Sequence, residues 1–474
     1  MHTRRMDSPS AGTFWQIDTT ERRVPGQLLT GGDDRPTLET DKAIFIERRF
    51  SFTRTPTGGA MVAISGDPEH HVADFQERTI HGELADGTRV TLVGAQGGSR
   101  RLGFLREPSE AHQQFRARYA VIGEHIKADE VYHSVRFQVV SASWWGDAED
   151  EAQSLSGDHL RIYNEDGTRW FEFTALTGAT LGDLDSGVIN AVTTLIELAT
   201  TNEVTDANVQ VRTEAEGAWR IVDRGQQSVK KSGHPLIGTQ HLTAEKFATW
   251  IDFRHETQGL DAAVLDDLPG VAIQTRVLTL GSVAEGLHRR LFGQGEKRVK
   301  GLSSSRIEKM RRLAREAALT RMTEPEYSDE DRAEFGKAIN EAFSHINEQT
   351  FRSRMEDLLT DARRSIPSLG AGFADWPNAV STARNLMAHQ PSLPDDVDAD
   401  QFLDLLVALS YSIAWVLRTN MLNKAGFDVP TMQEGYRDSS SYGHHLANTR
   451  MLLAGSPWGV NTNTVQLRLQ GCSL

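Results

Sequence analysis

At 474 residues the chain is about three times a typical domain length, so two or three domains are expected. Its hydrophobic fraction is only 38%, but 9 Trp and 19 Phe provide enough core-forming surface to exclude wholesale disorder. The net charge of −14 excludes indiscriminate binding of polyanions over the whole surface, and one cysteine, Cys472, excludes an internal disulfide and a thiolate metal site.

The start, Met1 to Asp7, carries basic residues with no apolar run behind them, so no secretory signal is expected and the expected compartment is the cytoplasm. The first half then reads as strands. Ala43–Phe52, Glu77–Glu83, Thr88–Val93, Val131–Ser141, His159–Tyr163, Thr168–Phe173, Asn208–Thr213 and Ala218–Val222 are short and rich in β-branched or aromatic residues. Asp86-Gly87, Asp166-Gly167 and Glu216-Gly217 fall between them, where hairpins need φ > 0. One helical run, Val188–Thr201, interrupts the strands. Gly94 to Gly98 lacks the lysine and spacing of a phosphate loop.

From about Leu236 the hydrophobic period becomes helical. Stripes run through Val277, Leu280, Val283, Leu287 and Leu291; through Phe335, Ile339, Phe343 and Ile346; and through Phe351, Met355 and Leu358. Two more run through Ala379, Val380, Ala383 and Leu386, and through Phe402, Leu405, Leu409, Ile413 and Val416. The last, Phe402–Leu417, contains Asp404, Ser410 and Ser412 and falls short of the roughly 20 residues of a membrane span, so it is expected to be a buried helix, and no membrane association is expected. The fold class is α+β: an N-terminal antiparallel β-rich domain over residues 1–235, then an all-α bundle over 236–474. A polar insertion at about 293–328 interrupts the bundle. Between His288 and Arg321 there are eleven basic and three acidic residues, a local +8 that leaves about −22 for the rest of the chain. Arg311, Arg312 and Arg315 of this segment are candidates for holding a nucleic-acid backbone; a solvated helix face accounts for them equally well.

The residues best suited to chemistry are Arg384, Asn385 and His389. An Arg-x4-His pattern is weak by itself, since about one chance match is expected in a chain with 16 His. Looser spacings add Arg106…His112, Arg118…His125 and Arg437…His444, but the first two lie in the β-rich half and the third spans an apparent loop. Only Arg384…His389 lies on a bundle helix, opened by Pro377 and closed by Pro391. With Ala383 set at 0°, the apolar stripe centres at about 0–20°, whereas Arg384 falls at about 100°, Asn385 at about 200° and His389 at about 240°. The polar group therefore points away from the helix's own core, toward water or another surface.

A helical bundle with Arg-Asn-x3-His near a helix end resembles the HEPN ribonucleases, and the surroundings resemble their ApeA-like subgroup. The C-terminal half is similar to that subgroup in Leu278–Phe292, the Arg-Asn helix, and a long apolar helix ending in Asn423–Phe427. The N-terminal half is similar in Gly12-Thr13-Phe14-Trp15, Pro25-Gly26-Gln27-Leu28, Ile80-His81-Gly82-Glu83, Ala120–His125 and Trp144-Trp145. The resemblance implies a bacterial anti-phage endoribonuclease acting as a homodimer or higher even oligomer, with a phage-derived trigger acting at the N-terminal domain. RNA is then the substrate, transfer RNA among the candidates.

These residue types suit such chemistry. Histidine can take the proton of the RNA 2′-hydroxyl, arginine can hold phosphate oxygens with two donors, and asparagine can orient either. The site needs no cofactor and no metal. Adjacent pairs His70-His71 and His444-His445 are expected to be surface histidines. Glu285 and Arg289 on the preceding helix are candidate supporting residues, although their spacing favours an ordinary i,i+4 ion pair. The competing functions are a non-catalytic HEPN module that binds RNA or a partner, and a purely structural role.

Overall fold

The computed structural model describes residues 9–460 apart from 18, 33, 46–48, 55–59, 66–75, 100–111, 141–148, 226–233, 258, 266–270, 294–297, 300, 323–326, 345, 390–392 and 396. The side chains of 49–54, 60–65, 98, 99, 256, 262, 263, 344 and 389 are also outside the description. His70-His71, Trp144-Trp145, Pro391 and Cys472 therefore lie outside the described residues. The chain divides into two compact units, 1–254 and 255–474.

The first unit is built on a closed antiparallel barrel. Its strands are β1 (Ser10–Gln16), β2 (Val24–Leu29), β3 (Thr37–Thr40), β6 (Arg78–Leu84), β7 (Arg89–Ser99) and β8 (Gln113–Arg116), and β8 pairs with both β3 and β7 to close the ring. A separate hairpin joins β4 (Arg49–Arg54) to β5 (Ala60–Ser65). Along β2 the burial alternates residue by residue, so one face supplies the barrel core. That core gathers Phe14, Leu28, Leu38, Ile80, Val90, Leu92 and Phe115. Gly82 lies opposite Phe14 in the β1–β6 register, and a Cβ there would meet the Phe14 ring at 2.5 Å. Gly12 and Gly82 are thus required by the close approach of β1 and β6.

Through the pairing of β7 with β9 the same antiparallel sheet continues beyond the barrel in the order β9 (Tyr119–Ile122), β15 (Arg220–Asp223), β14 (Thr205–Arg212), β10 (Val131–Val140), β13 (Thr168–Thr180), β12 (His159–Glu165) and β11 (Asp150–Gln153). Gly87 and the Asp166-Gly167 pair have the expected positive φ, but Gly217 does not. Ala43–Phe45 were expected to begin a strand; instead the buried Gln113 side chain accepts from Ile44 N at 2.8 Å and donates to Phe45 O at 2.8 Å, which replaces a ladder partner. The expected helix begins earlier than Val188, as α1 (Leu181–Leu184) capped by Thr180, and continues through a π-helical turn, Asp185–Ile189, into α2 (Asn190–Thr200). Helix α3 (Ala244–Thr257) packs on this unit: Trp250 Nε1 donates to Ala191 O at 3.0 Å, and Phe247 meets Phe171 edge to face. The division between the units therefore falls after Arg254.

The second unit is helical. Helix α4 (Ala262–Leu265) leads to α5 (Ile273–Leu291), α6 (Ser304–Arg321), α7 (Asp329–Ser344), α8 (Phe351–Ser365), α9 (Trp376–His389), α10 (Ala399–Lys424), α11 (Val429–Asp438) and α12 (Ser440–Leu452). Helix α10 is long and apolar enough to cross a membrane by length and composition, and most of its apolar window is buried among its neighbours. Its C-terminus stops at Gly426, φ 85°, with Phe427 N reaching back to Leu422 O at 3.2 Å.

Three expectations for this half are corrected. The Phe335–Ile346 stripe is not core: Phe335 and Ile346 are each 45% exposed. The span between Arg437 and His444 is not loop but the junction of α11 and α12, broken only at Ser439, and Tyr436 and Tyr442 pack edge to face on Trp415. Trp415 is therefore covered by this chain's own residues. His445 is buried rather than on the surface, and burial pushes its pKa down to about 4.

Candidate active site

The candidate site is assembled from α5, α8 and α9. Asp375 begins α9 by accepting from Asn378 N at 3.0 Å, while its other oxygen accepts from Arg352 Nη2 at 2.7 Å. Trp376 then fixes the rotation of the helix, being buried and donating Nε1–H to Ser412 Oγ of α10 at 2.9 Å. Ala379, Val380 and Ala383 complete the buried side. This anchoring places Arg384 on the flank of α9, half-buried rather than open to water.

Arg384 lies across the Phe351 ring at 4.7 Å from its centroid, and its Nη2 is 3.7 Å from Glu285 Oε2 on α5. Glu285 Oε1 also accepts from Arg289 Nη2 at 3.1 Å and lies 4.0 Å from Arg354 Nε on α8. One carboxylate therefore stands among three guanidiniums from three helices. Glu348 comes within 3.9 Å of Arg289. The excess positive charge is suited to phosphate oxygens, with the aromatic ring fixing the plane of Arg384.

Arg354 is 6% exposed and donates to Gln349 O at 3.3 Å. Burial, and next the charge of Arg289, lower its pKa. Arg354 was not foreseen from sequence, although an arginine beside Met355 and Leu358 on the apolar phase of α8 was the available signal. Behind it His288, fully buried and stacked on Phe292, bonds Asp357 through Nε2 at 3.0 Å, and Gln349 donates to the same oxygen at 3.2 Å. These two residues tie α5 to α8 and so hold Glu285 in place beside Arg354.

Of the residues singled out from sequence, Glu285, Arg289 and Arg384 come together directly. Asn385 is exposed on α9, and His389 ends that helix with its side chain outside the described residues. Arg311 and Arg312 sit on α6 in ion pairs with Glu308 and Glu316, and Arg315 lies against Gly336. Among the described residues no hydrogen bond or ion pair links these three to the Glu285 group.

Comparison with known families agrees with this architecture. The model for ApeA N-terminal domain 1 matches residues 9–181, and that for Apea-like HEPN matches residues 278–430. The chain belongs to the ApeA-like HEPN family, the first match falling on its barrel-bearing β-rich region and the second on its helical region. Membership fits an anti-phage nuclease of the HEPN class. No curated protein and no solved structure matches the chain.

Proposed function

We propose that this protein is a metal-independent endoribonuclease of an abortive-infection defence system, acting in the cytoplasm. The observation that carries the reading is the meeting of Arg384, Arg289 and Arg354 around Glu285 in a HEPN domain. In this scheme Arg384 binds a non-bridging oxygen of the scissile phosphate and offsets the charge that develops on it. His389 takes the proton of the 2′-hydroxyl, the 2′-oxygen bonds to phosphorus, and the P–O5′ bond breaks. The departing 5′-oxygen takes a proton, leaving a 2′,3′-cyclic phosphate and a 5′-hydroxyl. Asn385 orients the base or the phosphate.

One helix supplies one histidine, so base and acid together call for a second copy. The exposed face of α9 at Asn385 and Ala388, and Leu403 at 47% exposure on α10, are the surfaces for a two-fold homodimer that pools two sites. The β-rich unit holds the response to a phage component, and transfer RNA is a candidate substrate.

The test is incubation of the purified full chain with total cellular RNA in EDTA, with analysis of the new ends. Cleavage leaving 2′,3′-cyclic phosphates is expected. Strict dependence on added magnesium contradicts the mechanism, and tight RNA binding without any cleavage marks a non-catalytic module.

A further inference from the structure

Helices α6 and α7 form an arm whose base is pinned and whose side is open. Arg298 N donates to Asn347 O at 2.8 Å, Val299 N donates to Asn347 Oδ1 at 2.8 Å, and Asn347 itself is buried. The residue pairs Val299–Asn347 and Arg315–Gly336 fix the two helices as antiparallel neighbours. No residue of α6 is buried. Among the described residues of the second unit, half of the exposed large apolar side chains lie between Val299 and Ile346.

The exposed apolar positions are ordered. On α6, Met310 and Leu313 are 49% and 50% exposed, and Ala317 continues the same face. On α7, Phe335 is 45% exposed, and Ala338 and Ala342 follow at helical spacing. The more covered residues, Ile307, Ala314 and Ala318 on α6 and Gly336, Ile339 and Phe343 on α7, define the seam between the helices. Each exposed stripe is displaced from its seam in the same rotational sense, by roughly a quarter turn at about 100° per residue. In antiparallel helices an equal displacement puts both stripes on one side of the hairpin. The arm thus presents one continuous apolar face that two helices cannot bury by themselves.

Charge selects what covers that face. Helix α6 carries six basic and two acidic residues, and α7 carries five acidic and two basic. RNA would be repelled by α7 and would leave the apolar stripe wet. A second copy of the same hairpin, turned about a two-fold axis parallel to the helices, lays α6 over the partner's α7 and opposes +4 to −3. We infer that the α6–α7 arm is a homotypic interface, closing with its copy into an antiparallel four-helix bundle. This surface is separate from the α9 face proposed above, so the inference stands whether or not the chain cleaves RNA.

The pairing places Leu313 of one copy near Ala338 of the other. The test uses full-length chains carrying Cys472→Ser. A mixture of Leu313→Cys and Ala338→Cys chains is oxidised and resolved by mass, and the solution mass of Leu313→Glu and Phe335→Glu chains is measured beside the unsubstituted protein. The expected results are a disulfide-linked heterodimer and a halving of the mass in the glutamate variants, with helical content retained. Absence of the linked species with unchanged mass overturns the inference. Loss of RNA binding by Leu313→Glu at unchanged mass also overturns it and assigns the arm to RNA.

Discussion

The Arg384 guanidinium on α9 and the Glu285 carboxylate on α5 stand 3.7 Å apart, although they are far apart along the chain. That distance links the Arg-Asn helix to a group whose purpose is invisible on α5 alone. With Arg289 and Arg354 on the same carboxylate, Glu285 reduces the repulsion among three cations and sets where each one points.

Glu285→Gln keeps the volume and removes the charge. The three guanidiniums then repel, and Arg384 loses its restraint. Turnover is expected to fall by about tenfold while RNA affinity rises, since a negative charge beside the phosphate is gone. Steady-state kinetics that separate kcat from KM check this; a fall in affinity with unchanged turnover argues against a positioning role.

Asp375→Ala removes the cap of α9 and the partner of Arg352. A loss of about 1 kcal/mol in stability is expected from the cap. Thermal unfolding measures it, and the unfolding temperature of Asn378→Ala, which keeps the capping backbone N–H, is expected to move little.

Gly82→Ala places a methyl group against the Phe14 ring, where a Cβ would lie 2.5 Å away. Overpacking in the closed barrel is expected to cost about 1–3 kcal/mol. Thermal unfolding of the variant checks it, and an unchanged midpoint contradicts the close β1–β6 approach.

His445 gives the second unit a pH dependence. Its folded pKa of about 4 lies below the ordinary value of 6.5, so the unfolded chain binds more protons between those values. The contribution is intact above about 6.5 and is lost as pH falls toward about 4. The total loss approaches about 3 kcal/mol at ~1.4 kcal/mol per unit. Denaturant titrations from pH 7 to pH 4 measure the slope, which is expected to flatten in His445→Phe.

The sequence made the division into a β-rich and a helical half legible, because period 2 and period 3.6 are both written in the apolar positions. It left β2 hidden, since Pro25-Gly26 reads as a turn although the barrel uses Gly26 opposite Gly12. The α6–α7 face has a core-like period at Phe335 and Ile346, and period alone does not say whether anything packs on it. Arg384, Glu285 and Arg289 could be named because their spacing on single helices is regular. Arg354 and Asp357 were not, since they join the group only through tertiary packing of α8 on α5.

The most direct measurement of the central claim is RNA cleavage by the purified full chain beside its Arg384→Ala and His389→Ala variants, with folding verified by circular dichroism. Both variants are expected to retain fold and RNA binding and to lose cleavage by at least about a thousandfold, as removal of a charge-stabilising group or a general base requires. Full cleavage by either folded variant contradicts the assignment of the site.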